Sequence, residues 1–193
     1  NSKTMKSKIH EHKNNIKMKV SKKILITLGL LLSTLAFSQV AIGKLSASNT
    51  SVSLEFGNTE NRGLPLPWVT SASGVTGAVD GTIIYDTTDK KVKYLKGGSW
   101  FDLSVDTTGT VNTTLQDTKT EQSSAKVAIG ANGATDTTPG ILVLTDTDKA
   151  MILPKVASPH LNIINPAPGM MAYDTVKHQL AVYNGTVWSF WKP

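Results

Sequence analysis

An internal duplication with a period near 87 residues constrains this chain more than any other feature. Val40-Ala41-Ile42-Gly43 returns as Val127-Ala128-Ile129-Gly130, and residues 63–69 return at the same offset as 150–156, with a Leu-Pro pair kept in both. One inserted residue later, Gly81-Thr82-Ile83-Ile84-Tyr85-Asp86-Thr87 is answered by Gly169-Met170-Met171-Ala172-Tyr173-Asp174-Thr175. Gly97-Gly98-Ser99-Trp100 is answered by Gly185-Thr186-Val187-Trp188. What recurs is glycine, proline, tyrosine, tryptophan and aliphatic residues, which set turns and cores. Apart from the Asp-Thr pair, no set of acids, bases or nucleophiles recurs. The period is too long for a solenoid unit and fits two small modules in tandem.

Residues 18–38 read as a secretory signal peptide. Lys19, Lys22 and Lys23 precede an apolar run over 24–37, and Ala36 and Ser38 occupy the small-residue positions before Gln39. That run has 14 residues, short of the roughly 20 a helix needs to cross a bilayer, so no membrane span is expected once it is cleaved. Met18 is the expected initiator, with 1–17 an upstream extension or an extended n-region. Residues 1–38 hold 8 of the 20 Lys+Arg and 1 of the 14 Asp+Glu, which leaves 12 basic against 13 acidic side chains afterwards, a net of −1 in place of +6. Nucleic-acid binding loses its electrostatic support, because phosphates need clustered cations. The expected location is extracellular or cell-surface, with the periplasm as the other compartment on that route. The sequence contains no cysteine, which excludes a disulfide framework, a thiol nucleophile and a cysteine-ligated metal.

The expected fold is mostly β: two tandem small β-repeat modules, 39–104 and 127–193, each ending in a three-stranded antiparallel meander. Between them, 105–126 is rich in Thr and Ser and poor in apolar residues, the composition of a linker. Lys91-Val92-Lys93-Tyr94 alternates as a half-buried strand does. Gly97-Gly98 and Asn184-Gly185 are hairpin signals, because such pairs accept positive φ at low cost. Val40-Ala41-Ile42 and Val127-Ala128-Ile129 predict short strands, followed by second strands over 51–56 and 140–144. The Leu-Pro pairs predict an edge or an extended crossing segment, since proline lacks an N–H.

These landmarks resemble a repeat of secreted Bacteroidetes surface proteins and of phage tail-fibre-like proteins. Its pattern runs V-x-I-G, an aliphatic strand, Gly-Leu-x-Leu-Pro, Gly-x-x-x-Tyr-Asp/Asn-Thr and Tyr-x-Gly-x-x-Trp. Here that is Val40 to Gly43 and Val127 to Gly130, residues 63–67 and 150–154, then 81–100 and 169–188. The resemblance implies an exported fibre-like module that acts as a structural or adhesive surface protein, with self-association into a homotrimer and no catalytic residues. Trp68 and Ala150 depart from the pattern, where a basic residue and a glycine are usual.

Candidate chemistry is sparse. His160 and His178 have no counterpart in the first copy and no second ligand at metal spacing. Asp146-Thr147-Asp148 lacks the glycine-punctuated loop of a calcium site, and Thr59-Glu60-Asn61 stands at its place in the first copy. No G-x-S-x-G motif occurs. The expectation is therefore no catalytic residue, no metal and no cofactor. Trp68, Tyr183 and Trp191 are the candidate platforms for stacking a surface glycan, which gives the alternative of an extracellular carbohydrate-binding module. Trp68 and Trp191 are unmatched in the other copy. Thr87, Thr107, Thr137 and Thr175, each after an aspartate, resemble O-glycosylation acceptors; turn composition accounts for the same residues through side-chain hydrogen bonds.

Overall fold

The computed structural model describes residues 39–122 and 124–192, with seven earlier positions (10, 12, 14, 17, 18, 19 and 22) that are helical. The chain divides into two compact units, Asn1–Phe37 and Ser38–Pro193. Apart from those seven positions, the signal-peptide and extension expectations lie outside the described residues. Among the described residues, no helix is long and apolar enough to cross a membrane.

The second unit is mostly β, and the duplication holds strand by strand. The first copy contains β1 (Val40–Ile42), β2 (Val52–Phe56), β3 (Leu64–Pro65), β4 (Trp68–Val69), β5 (Ile83–Asp86), β6 (Lys91–Lys96) and β7 (Ser99–Asp102). The second contains β8 (Val127–Ile129), β9 (Leu142–Leu144), β10 (Ala150–Ile152), β11 (Lys155–Val156), β12 (Met170–Asp174), β13 (Gln179–Tyr183) and β14 (Trp188–Trp191) in the same order. Even the short helical turns correspond, Ala72–Gly74 matching Pro159–Asn162.

Each copy repeats the same internal pairings. The opening strands run parallel, β1 with β2 and β8 with β9. Each closing meander, β5-β6-β7 and β12-β13-β14, is antiparallel with a short parallel strand on its edge, β4 or β11. Gly97 and Gly98 turn the first hairpin with φ of 57° and 72°, the left-handed pair a two-residue turn requires. The second hairpin differs from the expected Asn-Gly turn. Its loop takes four residues, because Asn184 is buried and its carboxamide oxygen accepts from the N–H of Thr186 (2.9 Å) and of Val187 (2.7 Å). The side chain thus builds the turn, and Gly185 alone takes positive φ, at 100°.

Two further pairings join the copies to each other. β10 of the second copy lies parallel to β2 of the first. β3 of the first copy lies antiparallel to the start of β12 in the second. The main core sits at this junction: Leu66, Tyr85 and Val92 from the first copy pack with Met171 and Val182 from the second. A smaller cluster of Val156, Ile163 and Ala172 lies within the second copy. Apolar burial, the main stabilising contribution in folding, is therefore largest between the modules.

Candidate self-association surface

Buried polar groups fix how the two copies meet. The Tyr85 hydroxyl donates to the Asn184 carbonyl at 2.8 Å, with both residues buried. Burial, followed by the charges of Asp89 and Asp86, pushes the Tyr85 phenol up to about 12. Gly169 lets this happen: a Cβ there would stand 2.6 Å from the Tyr85 Cβ. Trp68 donates its indole N–H to the Pro168 carbonyl (2.8 Å) and packs against the core at the junction. Trp191 donates to the Leu103 carbonyl (2.6 Å). The two tryptophans unmatched in the duplication therefore each bond to the backbone of the opposite copy.

The segment after the first meander is drawn into the same junction. Val105 donates its N–H to the Ser189 hydroxyl (2.9 Å), and the Asn184 amide reaches the Asp106 carboxylate (3.1 Å). The Thr186 hydroxyl donates to the Thr108 carbonyl (3.0 Å), and the Thr110 hydroxyl to that of Gly185 (3.0 Å). Val111 packs on the central core. A short helix, Thr114–Asp117, follows.

Of the glycan-stacking candidates, Trp68 is half-buried against Tyr85, with ring centroids 6.1 Å apart, and Tyr183 is half-buried against Trp188 at 5.2 Å. Trp191 retains 42% of its surface exposed beside the exposed Phe190. The structure does not gather the three into one face through any ring contact among them. His160 meets Phe190 edge-on (5.5 Å), and His178 occupies a left-handed turn position, φ 54°, equivalent to Lys90 at 60°. Among the described residues no cluster of three or more metal-ligating side chains occurs. Asp146 accepts from the Ala131 N–H (2.9 Å) and pairs with Lys149 (3.1 Å).

All four Asp-Thr sites are turns in which the carboxylate accepts the N–H two residues on. Asp86 takes Thr88, Asp106 takes Thr108, Asp136 takes Thr138 and Asp174 takes Val176. Thr107, Thr137 and Thr175 are exposed, whereas Thr87 is half-buried and its hydroxyl donates to the Val69 carbonyl. Asp86 and Asp174 are buried in equivalent places and also clamp the helical turn beyond the crossing strand, through the N–H of Ala72 or Ser158. Burial alone would raise the Asp174 carboxyl, yet the N–H groups of Val176, Lys177 and Ser158 hold it below its ordinary value. The recurrence of Tyr-Asp-Thr in the sequence carried that signal. Asn184, Gly169 and Gly185 gave no equivalent sign of what they hold together.

The resulting contact between copies is head-to-tail. The first copy offers β2, β3 and Tyr85, and the second offers β10, β12 and Asn184. Contacts of this kind, which use different surfaces on the two partners, extend to further copies and close into rings or run on as filaments. Comparison with curated proteins and with solved structures finds no match. The family described as the phage tail like trimerisation region matches residues 128–192, which is the second copy almost end to end.

Proposed function

We propose that this chain is an exported, non-enzymatic structural protein of a fibre-like surface appendage, and that it acts by associating with itself into a homotrimer. The observation that carries the proposal is the match of 128–192 to a trimerisation region, set on a chain whose largest core already lies between two copies of that same module. Trimerisation multiplies the modules displayed, so weak contacts to a surface add through effective concentration. Adhesion in this scheme is a property of the assembly and needs no catalytic group.

Light scattering on the protein recovered after expression of the full chain tests the proposal. A mass of three chains is the expected result, and a monomer at micromolar concentration overturns it.

A second reading, an extracellular carbohydrate-binding module, draws on the exposed ring of Trp191. Its N–H is held by Leu103, which fixes the ring in the rigid posture that stacking on a sugar favours. Glycan binding that disappears in Trp191→Ala while the mass in solution stays the same would favour this reading.

A further inference from the structure

We infer that a second copy of this chain docks through the same head-to-tail contact that joins the modules inside it, so that the second module of one chain receives the first module of the next. This deepens the self-association proposed above and rests on it. Inside the chain, β2 is completed by β10, and Leu54 is 1% exposed. The equivalent strand in the second copy, β9, pairs only with β8 among the described residues. Leu142 takes the place of Leu54, because it stands opposite Val127 as Leu54 stands opposite Val40. It is 44% exposed, with Ile141 and Val127 exposed beside it. An apolar, open strand edge is the kind of surface that pairs with another chain.

The occupant follows from the register within the chain. β10 sets Ala150, Met151 and Ile152 opposite Val52, Leu54 and Glu55. Moved on by one module, that pairing sets the partner's Leu64 opposite Leu142 and the partner's Pro65 opposite Val143. The required edge of β3 is open. Leu66 donates its N–H to Gly169 on the β12 side, so by the alternation of a strand Gly63 and Pro65 face the other way. Proline has no N–H, so this pairing would run through the Gly63 N–H and the carbonyls. The second joint also transfers. β3 lies against Met170 and Met171, which places Met151 and Ile152 of β10 against the partner's Ile83 and the partner's Thr82. β10 is an edge strand and has that side free.

Two more equivalences fit independently. Tyr85 packs on Gly169, whereas Gly81, the counterpart of Gly169, holds a similar φ (89° against 77°) with nothing within 4 Å of where a Cβ would stand. The head-to-tail contact brings the half-buried Tyr173 of one chain onto the partner's Gly81. Trp68 bonds to Pro168 inside the chain. The equivalent pair across the new contact is Lys155 with the partner's Asp80, both exposed and of opposite charge.

The absence of native cysteine makes a direct test simple. A Leu64→Cys, Leu142→Cys variant of the full chain is oxidised and run without reductant, alongside each single variant. The mass of Leu142→Asp is measured with its far-ultraviolet circular dichroism. A trimeric wild type, a covalent trimer from the double variant alone, and a folded monomer from Leu142→Asp are expected. A trimeric wild type with no cross-link and a trimeric Leu142→Asp overturns this contact while leaving self-association intact. A monomeric wild type overturns self-association itself, and the contact with it.

Discussion

Trp191 donates its indole N–H to the carbonyl of Leu103, and Leu103 is the residue that occupies the place of Trp191 in the first copy. The first copy answers with Trp68 bonded to Pro168. The copies are therefore held together in part by residues that the duplication does not share. A head-to-tail contact uses a different surface of each module, so such residues can differ without breaking the repeat.

Trp68→Ala should cost about 3 kcal/mol of stability, from lost packing against Tyr85 and a cavity at the junction. Trp191→Phe should cost about 1 kcal/mol, the usual net value of one hydrogen bond. Chemical denaturation of both variants checks the order. Equal effects would mean that the Trp68 ring contributes little to the junction.

Gly185→Ala should be much more damaging than Gly98→Ala, although both positions have positive φ. At Gly98 nothing lies within 4 Å of the added Cβ, and the cost is about 1 kcal/mol of backbone strain. At Gly185 the Cβ would fall 1.8 Å from the Thr110 carbonyl oxygen, so the 105–111 segment must leave its place. Denaturant midpoints together with limited proteolysis of 105–111 check this. Proteolysis should rise in Gly185→Ala alone.

The closing meanders were legible because strand alternation and paired glycines are local signals. Lys91-Val92-Lys93-Tyr94 falls in β6 and buries Val92, but the alternation stops there, with Tyr94 half-buried and Leu95 the next buried residue. The joints between copies were not legible. β3 and β4 are two residues long, too short for any periodicity, and their partners lie about 20 or about 100 residues away. Glycines such as Gly169 and Gly185 read locally as turn formers, whereas their closest constraints are Tyr85 and Thr110. The candidate site had one faint trace in the sequence, the pair of tryptophans that fail to recur.

Tyr85 should resist ionisation well into the alkaline range. Its phenol is pushed up to about 12 from an ordinary 10.0. A pKa raised by folding gives stability that is intact below pH 10 and declines as the pH climbs toward 12. Tyr85→Phe should remove this alkaline decline and lower stability at neutral pH by about 1 kcal/mol, because the Asn184 carbonyl loses its buried donor. Phenolate absorbance and unfolding curves at rising pH check both effects.

Glu55 supplies the opposite pH dependence. It is a buried carboxylate on β2, with Lys44 at 2.6 Å and both the N–H and hydroxyl of Ser48 at 2.6 Å. The Lys44 ammonium foremost, then the Ser48 hydroxyl, hold it down at about 2 against an ordinary 4.5. A depressed carboxyl pKa gives stability that is complete above 4.5 and is lost as the pH falls from there toward 2. The acid limb of the stability curve should therefore be shallower in Glu55→Gln, which should also be less stable than wild type at pH 7, since Lys44 then loses its charged partner. The effect belongs to the first copy alone. Val143 stands at the equivalent place on β9 and carries no charge. A Val143→Ala variant should keep the acid limb of the wild type. If Glu55→Gln kept it as well, the Lys44 and Ser48 clasp on β2 would not be the origin of the acid dependence.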